Sequence, residues 1–165
     1  MSDDDDDDVH PERAAFTRLL DGLQFADRYY TYCGAHAKGG PDVPLALQTS
    51  ALAETGRMFR HNKKEKFFAW RDAKAPEGCE LGLNVRFEDA SVEWILVFKT
   101  KKGHLGSPFA GMAVDVKHLK NPKYKHNPPY PTPLIASAAE LRRILDDGLA
   151  IYDAIAAAIA KCDWR

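Results

Sequence analysis

Between residues 79 and 98 the chain spells out two strands and the turn that joins them. Cys79, Leu81, Leu83, Val85 and Phe87 alternate with Glu80, Gly82, Asn84 and Arg86. A period of two puts the apolar set on one face of a strand. Val92, Trp94, Leu96 and Phe98 resume the alternation, and here Ile95 and Val97 make the second face apolar as well. That double-sided pattern predicts a central strand. Glu88, Asp89 and Ala90 leave room only for a tight hairpin connection. Residues 66–71, with Phe67, Phe68 and Trp70, read as a further strand.

Helical spacing governs both ends of the chain. Pro11 suits a first helical position, because its missing N–H would lack a partner there anyway. Phe16, Leu19, Leu20, Leu23 and Tyr30 then share a face, which predicts one helix from Pro11 to Gly34. Residues 45–54 predict a short second helix ended by Gly56. At the other end, Ser137 and Glu140 have the spacing of a capping box. The stripe Leu141, Ile144, Leu145, Gly148, Ile151, Tyr152, Ile155 and Ile159 follows. A glycine on that stripe predicts a close approach of helix to sheet. Ser107 and Pro108 read as an N-cap followed by proline at the first helical position. Phe109, Met112, Ala113, Val116 and Leu119 continue with helical spacing, while Val114 and Val116 also allow a strand. The five prolines of residues 121–133 exclude a regular element.

These elements predict an α+β fold: an antiparallel sheet of about four strands, with the N- and C-terminal helices packed on one face. At 165 residues one domain is expected over residues 10–165, preceded by an acidic arm at residues 1–9 that has nothing to bury. No apolar run approaches the roughly 20 residues of a membrane span. No basic, apolar leader opens the chain, and three widely spaced cysteines suit reduced thiols. The expected location is the cytoplasm.

Charge is divided along the chain. Residues 3–8 are six consecutive aspartates, while residues 57–125 hold 15 Lys/Arg against 8 Asp/Glu. Omitting the six aspartates turns the formal net charge from −1 to +5, since 23 basic residues then face 18 acidic ones. A basic surface attracts phosphates or acidic partners, and an acidic tail competes for it. The arm also reads more simply as a solubilising tail.

Motifs for catalysis and cofactors are sparse. Cys33 and His36 have metal-ligand spacing, but no second pair follows, so the expected reading is a buried cysteine near a surface histidine. Cys79 continues the inward alternation and reads as core. Asp115 and Lys117 would share a face on a strand, as a metal-dependent nuclease needs, and a helix breaks that pairing. Lys101, Lys102, Gly103, His104 and Gly106 form a basic loop without the order of a P-loop. No metal, cofactor or catalytic set is assigned. Arg57, Arg60, Lys63, Lys64 and Lys66 lead into Phe67, Phe68 and Trp70, the mixture used for single strands of nucleic acid.

The best candidates for partner binding are Lys101, Lys102 and His104 in one loop and Tyr124 and Tyr130 in another. Cations offer a rim and tyrosines offer anchors, and prolines stiffen the second loop. The two loops are expected to contribute to one interface. The small α+β character of the whole chain, with the proline-tyrosine-proline lead from Tyr130 into the helix capped at Ser137 and Glu140, resembles bacterial immunity proteins. That resemblance implies a non-enzymatic inhibitor that blocks a cognate toxin. A nucleic-acid-binding module whose acidic arm masks a basic face is the alternative, and an enzyme whose site the sequence does not expose is another.

Overall fold

The structure, a computed structural model, describes residues 10–164. The acidic stretch at residues 3–8, and the expected arm as a whole, lie outside them. In chain order the elements are α1 (His10–Gly22), α2 (Phe25–Ala35), α3 (Leu45–Ala53), β1 (Arg60–Asn62), β2 (Phe67–Arg71), β3 (Glu80–Glu88), β4 (Ser91–Thr100), β5 (Gly103–His104), α4 (Phe109–His118) and α5 (Ala138–Ala160). The fold is α+β. Its strands make one antiparallel sheet in the order β1-β2-β3-β4-β5. That is one strand more than expected, because β1 and β5 are too short to show a period.

The β3–β4 hairpin is the spine of the sheet. Leu83 pairs with Leu96, Val85 with Trp94 and Glu88 with Ser91. Asp89 and Ala90 form the turn, both at positive φ, 48° and 57°. Two left-handed residues match the twist of the strands they join. Ile135 N–H closes on the Ala90 carbonyl at 2.7 Å, which fixes the turn from outside.

One sheet face carries Phe68, Leu81, Leu83, Val85, Val92, Trp94, Leu96 and Phe98, all buried. The long helices cover it, and they share a single hydrophobic cluster with these residues. Trp94 stacks on Phe109 of α4, and Trp70 meets Tyr152 of α5 edge-on. The opposite face is laced by ion pairs, Arg71 with Glu80 at 2.8 Å and Lys99 with Glu80 at 3.8 Å. Val97 is buried there too, as the double-sided pattern required. Trp164 packs its ring against Phe16 and Phe98 and donates its indole N–H to the Ile159 carbonyl at 3.0 Å.

Three local expectations need correction. The single N-terminal helix is two helices. Gln24 turns to a φ of 56° just after Gly22, so α1 can end while α2 sets off along a new line. Ser107 does not cap α4. Its carbonyl accepts from Leu96 N–H at 3.0 Å, holding residue 107 beside β4, and Pro108 takes the cap position with no side-chain cap. The open alternative at residues 108–119 resolves as helix. The capping box of α5 is half formed: Ser137 Oγ accepts from Glu140 N–H at 3.3 Å, while the Glu140 carboxylate turns to His36. Among the described residues no helix is long and apolar enough to cross a membrane.

Candidate functional site

The β4–β5 hairpin presents Lys101 and Lys102 at its tip. It is held from below by α1. Thr100, buried, donates its hydroxyl to Glu12 Oε2 at 2.7 Å and accepts from Lys102 N–H at 3.2 Å. Arg13 Nη2 donates to the His104 carbonyl at 3.0 Å. Lys101, Lys102 and His104 are all exposed. Among the described residues neither lysine lies within ion-pair distance of a carboxylate, whereas Lys99, near the end of β4, meets Glu80. For His104, partial burial is the main cause that holds its pKa below the ordinary histidine value, with its backbone hydrogen bond to Gly106 opposing the shift.

The two tyrosines of the proline-rich loop have different surroundings. Tyr130 is 68% exposed. Its neighbour Pro131 is anchored, since the Pro131 carbonyl accepts from the Tyr29 hydroxyl at 2.6 Å. Tyr124 is half-buried. Its hydroxyl meets His126 Nδ1 at 2.8 Å, and His126 lies flat on Tyr30, with centroids 3.7 Å apart and planes 2° apart. The Tyr124 carbonyl faces His118 Nε2 at 2.9 Å. Tyr124 therefore fastens its own loop to α2 and α4.

The structure does not bring the two loops together. The hairpin tip follows Thr100 at one end of β4. The proline-rich loop closes at the other end, where Val92 N–H donates to the Pro133 carbonyl at 3.1 Å and Leu134 bridges Ser91. Eight or nine residues of strand separate them, roughly 30 Å at strand rise. The β4–β5 hairpin is thus one candidate surface and Tyr130 a separate one.

The basic band at residues 57–66 is also divided. Arg57 is spent on structure: Nη2 donates to both Asp153 carboxylate oxygens at 2.8 and 2.9 Å, and its guanidinium lies 4.7 Å from the centre of the Trp70 ring. Phe68 is buried and Phe67 and Trp70 are half-buried. The aromatics interleaved with the band therefore belong largely to the core. Asp115 and Lys117 sit on helix α4, where residues two apart point away from each other. Lys117 pairs with Asp27 at 2.6 Å, and this hydrogen bond raises its pKa.

The sequence reading missed the most polar buried group. His36 is 7% exposed, not at the surface. Nδ1 lies 3.1 Å from Glu140 and Nε2 3.4 Å from Asp147, so the ring bridges two turns of α5 from the end of α2. Glu140 and Asp147 are one heptad apart, the only local signal of a shared face. Cys33 faces the Pro131 carbonyl at 3.7 Å, and burial pushes its thiol up to about 11. Neither its contacts nor its acidity suits a ligand or nucleophile. Cys79, expected in the core, is only half-buried just before β3. Among the described residues no group of three or more His, Cys, Asp or Glu side chains has a geometry to hold a metal ion.

No known protein-family model matches this chain, and neither a curated protein nor a solved structure matches it.

Proposed function

We propose that this protein is a non-catalytic inhibitor of another protein, of the immunity-protein kind, working in the cytoplasm and taking an acidic surface of its partner on the Lys101–Lys102 turn. One observation carries the reading. The turn is braced through Thr100, Glu12 and Arg13, yet its two ammonium groups are left without carboxylate partners among the described residues. Braced charge costs less ordering on binding. Charge at the rim of an interface also speeds encounter and rejects wrong partners. Tyr130, with its neighbouring proline anchored, is a second contact for a partner large enough to reach both ends of β4. The nucleic-acid alternative has less support, because Phe68 and Trp70 lean into the core and offer bases little to stack on.

The test is protection. Neighbouring genes are screened for a toxin: cells that make one should survive when the intact chain is co-expressed, and should die when Lys101→Glu and Lys102→Glu are combined. Absence of protection, together with aromatic-dependent binding of a generic single strand at about 150 mM salt, would overturn the reading in favour of nucleic acid.

A further inference from the structure

Between the C-terminal half of α5 and the start of the β2–β3 loop lies a cleft of about 390 Å3. Its apolar wall is Trp70, Leu81, Ala156, Ala157 and Ala160, and its polar residues are Arg57, Asp72, Lys74 and Asp153. The three alanines lie three and four residues apart, on one side of α5. Side chains this short leave open the space that longer ones would fill.

Hydrogen bonding in the cleft is complete on the acceptor side and incomplete on the donor side. Asp72 Oδ2 accepts from the Tyr152 hydroxyl at 2.8 Å, and Oδ1 accepts from Lys74 N–H at 2.9 Å. Both Asp153 oxygens accept from Arg57 Nη2. Every carboxylate oxygen on the wall is therefore engaged. Arg57 uses only one of its three guanidinium nitrogens in this way. Among the described residues Nε and Nη1 have no hydrogen-bond partner, and neither has the Lys74 ammonium. The guanidinium is held in place between two rings, 4.7 Å from the centre of Trp70 and 5.7 Å from that of Tyr152. A donor fixed in advance loses little freedom on binding.

The cations also lie at one end of the cleft. Arg57 is bonded to Asp153, and Lys74 follows Asp72, which is bonded to Tyr152. Ala160 is seven residues further on, about 10 Å along the helix. It ends α5, where unpaired carbonyls form the negative pole of the helix. An anionic group is thus drawn to the Arg57 end and repelled from the Ala160 end. The remainder of such a ligand lies over Ala156 and Ala157.

We infer that this cleft binds a carboxylate carried on a small apolar body, such as an aryl or branched-alkyl group. The carboxylate takes charge-assisted hydrogen bonds from Arg57 and Lys74. The apolar body covers Trp70, Leu81 and the alanines, as in ligand sites where a few polar groups orient a mostly apolar molecule. The inference goes beyond the inhibitor reading. It uses neither the Lys101–Lys102 turn nor Tyr130, so either can fail alone.

The experiment titrates the isotope-labelled full chain with phenylacetate, and separately with phenylacetamide and phenethylamine, which are close to it in shape. Phenylacetate should shift the Trp70 indole N–H and the amides of Ala156, Ala157 and Ala160, with a Kd on the order of 1 mM. The neutral amide and the amine should bind at least about tenfold more weakly. Lys74→Gln should weaken phenylacetate about tenfold. Ala157→Leu, at an exposed position of α5, fills the cleft and should abolish binding without lowering the melting temperature. A trialanine-like peptide ending in phenylalanine separates two sources of the same group. Binding at least about tenfold tighter than phenylacetate assigns the carboxylate to a polypeptide C-terminus, and weaker binding assigns it to a free acid. Three results would overturn the inference: no shifts up to about 10 mM phenylacetate, equal or stronger binding of the amide or the amine, or phenylacetate shifts that survive Ala157→Leu.

Discussion

Gly148 of α5 sits against the indole of Trp94. A Cβ built on residue 148 would lie 2.7 Å from Trp94 Nε1 and closer still to Cε2 and Cζ2. The same indole donates to the Tyr32 hydroxyl at 2.9 Å, and Tyr32 donates to the Ile144 carbonyl at 2.8 Å. Sheet, α2 and α5 therefore meet at one ring.

The glycine contact fixes the sign of a substitution that would otherwise go the other way. In a helix interior alanine is better than glycine by about 1 kcal/mol. Here Gly148→Ala should destabilise by about 1–3 kcal/mol, the usual cost of overpacking a full core. Trp94→Ala should cost about 3–5 kcal/mol. Both follow from urea unfolding. A stabilised Gly148→Ala variant would show that the helix can lift from the sheet without loss.

Tyr32→Phe interrupts the polar chain without opening a cavity. It leaves the buried Trp94 N–H without its acceptor, which should cost about 1–3 kcal/mol. Trp94→Phe would remove the orphaned donor. In the double-mutant cycle the two changes should then cost less together than their sum, and strict additivity would disprove the coupling.

Alkaline stability should report the buried thiol. Burial raises the Cys33 pKa from 9.0 to about 11, against a smaller opposing effect of its hydrogen bond with Tyr29. A raised folded pKa means that the native state holds its proton after the unfolded chain has released it. The stability it contributes is intact below pH 9 and is lost as pH rises toward 11. Between pH 9 and 10 the native protein should lose stability more steeply than Cys33→Ala, by up to about 1.4 kcal/mol per pH unit. Above pH 10 Tyr30, raised to about 12 mainly by burial, adds to the slope. Parallel pH profiles for the two proteins would refute the assignment.

The hairpin and the proline-rich loop should separate by melting temperature. Lys101→Glu and Tyr130→Ala touch exposed side chains, so each should change stability by less than about 0.5 kcal/mol. Tyr124→Ala should cost about 1–3 kcal/mol, because it removes a half-buried ring and the hydroxyl that meets His126. A partner that binds through the hairpin should lose affinity to Lys101→Glu alone. Equal melting temperatures for Tyr124→Ala and Tyr130→Ala would mean that Tyr124 does not hold its loop.

The sequence by itself determined what depends on short-range order. The period of two at residues 79–98 set the register of β3 on β4 and the burial of Trp94, Leu96 and Phe98. Ser137 placed the start of α5, and the glycine on its apolar stripe marked the close approach to the sheet. These features come from steric and hydrogen-bonding rules among neighbours a few residues apart, so they are written locally. The tertiary structure alone decided whatever joins distant segments. The break at Gln24 depends on where α1 and α2 find separate grooves, and an unbroken helical period ran through it. His36 became a buried bridge only because α5 brings Glu140 and Asp147 to it from more than a hundred residues away. The lysines and tyrosines of the candidate surface were legible as residues, but their separation was not, since the length of β4 divides them. The placement of the lysine turn beside the first residues of α1 was equally hidden, because a hydrogen bond between Glu12 and Thr100 leaves no periodic trace in either segment.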